Sequence, residues 1–275
     1  MKKLILFFTA LLTIASCNSK KQDKTEATSN TKKTLMAIFP HSDDETVVSP
    51  ILSKYAKEGV DVYFVLVTDG SMGATSHANI PAGDSLTAVR KIEATGTTEA
   101  LGIHPPIFLD YLDGNLNSWE DLYSLDDQID SLFKAYQPDV VITWGPDGGY
   151  GHPDHRAVSN IITEVYQKGE HDYIKRLLYS GITQEAIDLA HDPQSNDGKY
   201  FKANFHPTQK SLLNYRIKYS QEDYTNGLNA LYCCKSQFTR EAMNDLYRLL
   251  HDNTDHTIYL REWNGSDGIK TCVFD

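Results

Sequence analysis

Thr34-Leu-Met-Ala-Ile-Phe-Pro-His-Ser-Asp-Asp-Glu45 is a short apolar run, stopped by a proline, that empties into one imidazole and three carboxylates. An apolar run of this length bounded by a breaker reads as a buried strand. Working outward, further strands are expected at Val60–Val67, Pro106–Leu109, Asp139–Trp144 and Arg176–Ser180. Between them, apolar residues at helical spacing predict helices over Thr46–Lys57, Ser85–Leu101, Trp119–Tyr136 and about Asp154–Gln167, the first two stopped by Gly59 and Gly102. Strand and helix in alternation mean βαβ units and a parallel sheet covered on both faces. The expected class is therefore α/β, a three-layer sandwich with a mostly parallel sheet. After about residue 182 the pattern weakens to a polar loop over Asp188–Gly198 and helices over Glu222–Leu231 and Thr239–His251, a helical and loop extension.

Open parallel sheets bind ligands beyond the carboxyl ends of their strands. Two clusters sit there: His41-Ser-Asp-Asp-Glu45 after the first strand, and Trp144-Gly-Pro-Asp-Gly-Gly-Tyr-Gly-His-Pro-Asp-His155 after the fourth. Each combines imidazole with carboxylate, a donor set that a catalytic zinc ion accepts three at a time while keeping a position open. Asp43 and Asp44 are adjacent and cannot point the same way, so one can bind metal while the other faces a water. Taken singly the residues have plainer readings. Asp44 or Asp154 can cap a helix, Arg90 and Glu93 can form an i,i+3 surface pair, and Asp113-Gly114 can be a turn. No Gly-x-Gly-x-x-Gly follows the first strand, so a dinucleotide is not implied.

His41-Ser-Asp-Asp-Glu45 resembles the (Ala/Pro)-His-Pro-Asp-Asp-Glu motif of the PIG-L/LmbE-like N-acetylglucosaminyl deacetylases, and Gly151-His-Pro-Asp-His155 resembles that family's second motif. Thr68-Asp-Gly-Ser-Met-Gly73 and Arg90-x-x-Glu93 resemble its intervening turn and helix, in the family's order. The resemblance implies a Rossmann-like fold, zinc held by His41, Asp44 and His155, and Asp43 as the general base. It further implies His152 and Tyr150 as stabilisers of the oxyanion or donors to the leaving amine, and Arg90 and Asp113 as substrate contacts. Asp154 is expected to orient His152 or another ring. Two departures stand out: Ser42 replaces the usual proline, and Cys234 stands where the family commonly has a histidine. His206 is a candidate to supply that imidazole.

The N-terminus carries a separate message. Lys2 and Lys3 precede an apolar run over Leu4–Ile14, too short to span a bilayer, and Ile14-Ala-Ser-Cys17 resembles the lipobox of bacterial lipoproteins. This implies a signal peptide over residues 1–17, a lipid anchor on Cys17, and a place in the bacterial cell envelope, on the periplasmic face or the cell surface. Residues 18–33 hold a single apolar side chain, Ala27, and read as a flexible tether to a domain over 34–275. The net charge of −11 splits into +5 over residues 1–33 and −16 beyond, which disfavours a nucleic-acid partner. With Cys17 acylated, Cys233, Cys234 and Cys272 remain, enough for at most one bridge and no disulfide scaffold. The expectation is thus a zinc hydrolase that deacylates an N-acetylglucosamine-like small molecule or oligosaccharide outside the cytoplasm. Two alternatives stand beside it: an amidase on another small conjugate, such as a mycothiol- or bacillithiol-type thiol, and a non-catalytic glycan-binding lipoprotein.

Overall fold

Alternation of faces explains the strands. In β1 (Thr34–Phe39), Leu35, Ala37 and Phe39 pack into one hydrophobic layer and Met36 and Ile38 into the other, all with no exposed surface. β2 (Asp61–Thr68) divides in the same way, Val62, Phe64 and Leu66 against Val65 and Val67. Strands apolar on both faces are stable only inside a sheet covered on both sides. β3 (Ile107–Tyr111), β4 (Val140–Thr143) and β5 (Arg176–Ser180) complete the parallel part of that sheet. One face is covered by α1 (Ser49–Lys57), α2 (Asp84–Leu101) and α8 (Gln221–Leu231), the other by α3 (Trp119–Tyr136) and α5 (Pro153–Gln167). Local signals set the helix ends. Ser118 accepts the Asp121 N–H at 3.0 Å at the start of α3, and Gly102 takes a left-handed φ of 70° after α2. The remaining helical pieces are a distorted turn α4 (Gly148–Gly151), α6 (Gln184–Leu189), α7 (Asn196–Asn204) and α9 (Arg240–His251).

The structure is a computed structural model that describes residues 32–189, 196–252 and 254–275. The expected signal peptide and almost all of the expected tether lie outside the described residues. The last two tether residues are held on the domain, Lys32 by Asp61 at 2.5 Å and Lys33 over the Phe274 ring at 4.5 Å. Among the described residues no helix is long and apolar enough to cross a membrane.

Three expectations need correction. The C-terminal extension is more than helix and loop: β7 (Thr257–Glu262) pairs antiparallel with β5, and β6 (Tyr215–Lys218) pairs antiparallel with β7. The helix expected from Thr46 is preceded by a 3-10 turn over Asp44–Val47, because the Asp43 backbone turns sharply there, and α1 proper starts at Ser49 with Pro50 in its first turn. The polar stretch over 188–198 is not all loop, since α6 runs to Leu189 and α7 begins at Asn196. Cys233, Cys234 and Cys272 are free thiols.

The strand order is β3-β2-β1-β4-β5-β7-β6. From β1 the chain winds outward to β3 on one side, and from β4 to β5 on the other. The crevice between the carboxyl ends of β1 and β4 is therefore the topological switch point, where doubly wound sheets bind ligands.

Candidate active site

Four strand ends deliver the site. His41, Ser42 and Asp43 follow β1; the Asp69-Gly70 turn follows β2; Asp113 follows β3; and the glycine-rich loop after β4 carries Tyr150, His152, Asp154 and His155. That loop must double back sharply. Gly149 sits at φ 68°, and a Cβ there would lie 2.6 Å from the Trp144 ring, so glycine is the residue that fits.

At the centre, His41 Nδ1 lies 3.0 Å from His155 Nε2 and 3.4 Å from Asp44 Oδ2, and His155 Nε2 lies 3.2 Å from Asp44 Oδ1. The far nitrogens of both rings are committed. His155 Nδ1 faces the Gly148 carbonyl at 3.1 Å and so must donate to it. His41 Nε2 faces Asp113 Oδ1 at 3.2 Å and Asp154 Oδ2 at 3.3 Å, and donates to that pair. Two imidazole lone pairs and a carboxylate then converge on one point, an arrangement that is favourable only around a positive charge. Donors about 2.0–2.1 Å from a tetrahedral zinc lie about 3.3–3.4 Å from each other, close to the observed triangle. The donor set also has the outer partners that metal-binding histidines require. His41, Asp44 and His155 therefore fit a metal ion.

Electrostatics agree. Burial favours a neutral His41, but the carboxylates of Asp113, Asp154 and Asp44 outweigh it and raise the ring well above the ordinary histidine range. Burial pushes the Asp44 carboxyl up, but His155 and His41 hold it far below the usual carboxylate range. Asp43 is the opposite case. Burial, then the charges of Asp44 and Glu45, raise it well above an ordinary carboxylate, which shifts it towards what a proton acceptor working near neutrality needs.

Asp43 is held under strain, at φ 134° and ψ −23°, and its N–H donates to Glu45 Oε2 at 2.9 Å. Glu45 is itself buried and pushed up to about 7 by that burial. His152 accepts the Asp154 N–H on Nδ1 at 3.2 Å, which leaves Nε2–H as its donor. Burial, then His41 and His155, lower its pKa and keep the ring neutral near pH 7. Burial, then Asp44 and Asp43, hold the Tyr150 phenol protonated.

The structure thus brings His41, Asp43, Asp44, Tyr150, His152 and His155 together. Asp154 orients the His41 ring, and its carboxylate is itself fixed by the N–H groups of Gly114 and Leu116 at 2.8 and 3.3 Å. Asp113 shares the His41 contact while lining the same cavity. Arg90 and Glu93 are both buried and do not form a surface pair. Arg90 lines a polar cavity of about 180 Å³ together with His41, Asp43, Asp113, His152 and Gln237, donating to the Gly73 carbonyl at 2.7 Å while its Nε has no partner among the described residues. Glu93 instead clamps Ser236, accepting from its N–H and hydroxyl at 2.6 and 2.7 Å.

His206 does not replace the family's histidine. It lines a separate cavity of about 50 Å³, and Cys234 is buried against Thr97 at 3.9 Å. Gln237, three residues on, is what reaches the site; it donates to the Ser42 carbonyl and lines the polar cavity. Only the neighbouring Cys-Lys-Ser-Gln stretch could have drawn attention to Gln237 in the sequence.

The chain is 27% identical over 182 residues to a 1D-myo-inositol 2-acetamido-2-deoxy-alpha-D-glucopyranoside deacetylase of Mycobacteroides abscessus, covering 58% of this chain and 63% of the relative. It spans roughly half to two thirds of the length of the curated relatives it matches, from 51% to 64% among them. Among solved structures, the N,N'-diacetylchitobiose deacetylase of Pyrococcus horikoshii superposes with a TM-score of 0.59 at 22% identity, covering 84% of this chain and 83% of its own. The 4-carboxy-2-hydroxymuconate hydratase of Pseudomonas putida superposes almost as well, with a TM-score of 0.58 at 15% identity over 87% of this chain and 100% of its own. At these identities the likeness establishes the fold, and the fold alone does not name the reaction. The sequence profile described as PIG-L: GlcNAc-PI de-N-acetylase matches residues 36–166, which hold His41, Asp43, Asp44, His152 and His155. Residues 36–166 of this chain are thus similar to the PIG-L (GlcNAc-PI de-N-acetylase) family domain.

Proposed function

We propose that the protein is a zinc-dependent hydrolase that removes the acyl group from an N-acylated amino sugar, acting outside the cytoplasm on a lipid anchor at Cys17. The observation that carries the hydrolase reading is the triangle of His41, Asp44 and His155 with Asp43 beside it at the switch point of a PIG-L-like domain. The Mycobacteroides relative supports a 2-acetamido sugar as the substrate class. The basic, apolar and small-residue order of the first 17 residues supports export.

Two imidazoles and one carboxylate suit zinc, which when bound supplies Lewis acidity to the amide carbonyl and lowers the pKa of a water. The chain's own residues do the rest. Asp43, held in place by Glu45, takes the proton of the attacking water. The Tyr150 phenol and the His152 Nε2–H are donors for the oxyanion that develops on the former carbonyl oxygen. Asp43 then carries a proton that the leaving amine needs, and His152, lining the same cavity, is a second group able to donate one. Asp113 and Asp154 keep His41 in one tautomer throughout.

The test is amine and acetate release from N-acetylglucosaminyl-inositol and from chitooligosaccharides. Release by the zinc-loaded protein that stops with chelator and resumes with zinc is expected. No release from any N-acyl amino sugar, or release indifferent to chelator, overturns the reading.

A further inference from the structure

The polar cavity around His152 and Arg90 is not the only space that opens on Asp43. A second cavity of about 190 Å³ shares Asp43 and Tyr150 with it and is otherwise lined by different residues. Asp43 and Asp44 are among its lining residues. Its walls include Val47, Trp144 and, from α9, Leu246, Leu249 and Leu250. Apart from the two aspartates and Thr46, every lining side chain among the described residues is aliphatic or aromatic. Folded interiors pack with few voids larger than a water molecule, and a concave apolar space abutting polar reacting groups is how binding sites are built.

Geometry assigns the two cavities to the two halves of an amide. Asp43 and Tyr150 form their common boundary, so the reacting carbonyl belongs there. His152 lines only the polar cavity, with Arg90, Asp113 and Gln237, so the amine half with its hydroxyls lies on that side. The remaining substituent of the carbonyl carbon, the acyl chain, then points into the apolar cavity. An acetyl group would place a single methyl in it. A dry apolar cavity of about 150 Å³ holds a benzene, six carbons, and 190 Å³ by the same measure holds about eight.

We infer that the preferred substrate carries a straight acyl chain of about six to eight carbons on its amine nitrogen and not an acetyl group. This rests on the hydrolase reading above and adds the acyl specificity to it. The reaction is the same amide hydrolysis: water's oxygen bonds to the acyl carbon, the C–N bond breaks, and the products are a medium-chain carboxylic acid and a free amine.

The test is a homologous series of N-acetyl, N-butanoyl, N-hexanoyl, N-octanoyl and N-hexadecanoyl glucosamine glycosides, with kcat/KM read from amine release by the zinc-loaded protein. Alongside it, calorimetry compares binding of octanoate and acetate. Each buried methylene is expected to raise kcat/KM about fourfold up to about eight carbons, with no further gain at hexadecanoyl. Octanoate, six methylenes longer than acetate, is expected to bind about 4,000-fold more tightly by the same per-methylene scale. Ala242 lines the apolar cavity from α9. Ala242→Trp, which fills the space, should lower octanoyl turnover at least tenfold and erase the preference for octanoyl over acetyl within the variant. Hydrolysis that is best with acetyl, or indifferent to chain length, with octanoate no tighter than acetate, overturns the acyl assignment and leaves the hydrolase standing. Octanoate bound tightly with no amide cleaved at any chain length removes the hydrolase, and the acyl assignment with it.

Discussion

Replacing Asp154 by asparagine tests whether the site is organised around a cation. The Asp154 carboxylate lies 3.3 Å from His41 Nε2, and its other contacts are the N–H groups of Gly114 and Leu116. Asparagine keeps the shape and removes the charge. A unit-charge interaction at 3.3 Å is about 5 kcal/mol at an effective dielectric near 20. Not all of that is lost, because Asp113 still faces the same nitrogen at 3.2 Å. The net effect expected is the range seen for outer partners of metal-binding histidines, a 10- to 100-fold fall in zinc affinity, or about 1.4–2.8 kcal/mol. The amide has one oxygen for two backbone donors, so a loss of about 1–3 kcal/mol in folding stability accompanies it. Zinc titration against a chromophoric chelator measures the first, and a denaturant melt of the metal-free protein the second. Zinc affinity within twofold of wild type, with stability lowered, would mean that Asp154 only braces the loop, and the reasoning would fail.

Two further outcomes follow from single contacts. Gly149→Ala places a methyl 2.6 Å from the Trp144 ring at a φ of 68°, and should destabilise the fold by about 2 kcal/mol or more and slow turnover, because Tyr150 and His152 follow directly; a melt within about 0.5 kcal/mol of wild type would contradict this. His251 is fully buried, its Nε2–H donating to the Thr46 carbonyl at 2.9 Å, and burial lowers its pKa to about 4. The unfolded chain takes up that proton near pH 6.5 and the folded chain only near pH 4, so stability falls as pH drops through this window. Between pH 7 and pH 4 wild type should lose about 3 kcal/mol more than His251→Gln, by urea denaturation at each pH; a gap between the two proteins that does not change with pH would refute it.

Much of this molecule is legible in one dimension because its central strands are apolar on both faces and stop at prolines or glycines. Leu35–Phe39 and Val62–Val67 need no tertiary knowledge to be read as buried strands. The two motifs are likewise local, each placed by its own strand end. What escaped notice depends on distant partners. Tyr215–Lys218 is a four-residue edge strand whose alternation, Tyr215 and Ile217 inward, is too brief to stand out, and its pairing with β7, like that of β7 with β5, is antiparallel beside an otherwise parallel sheet. α7 is mostly polar and reads as a loop, although in the fold it packs against α9 and sets Tyr200 beside Tyr150 at 6.3 Å. Gln237 reaches Ser42 across 195 positions, and Asp154 turns to His41 and not to its neighbour His152. Neither choice is encoded near the residue that makes it. The apolar cavity draws its walls from Val47, Trp144 and α9, and no single segment announces it.

The central claim is that His41, Asp44 and His155 hold zinc while Asp43 does the proton transfer. Metal content and turnover measured on the same preparation of Asp43→Asn test it most directly. One zinc per chain, with turnover of the N-acyl amino sugar reduced by about 10²- to 10⁴-fold, is the expected result. Turnover near the wild-type value in the zinc-loaded variant would contradict it, and so would loss of the zinc together with the activity.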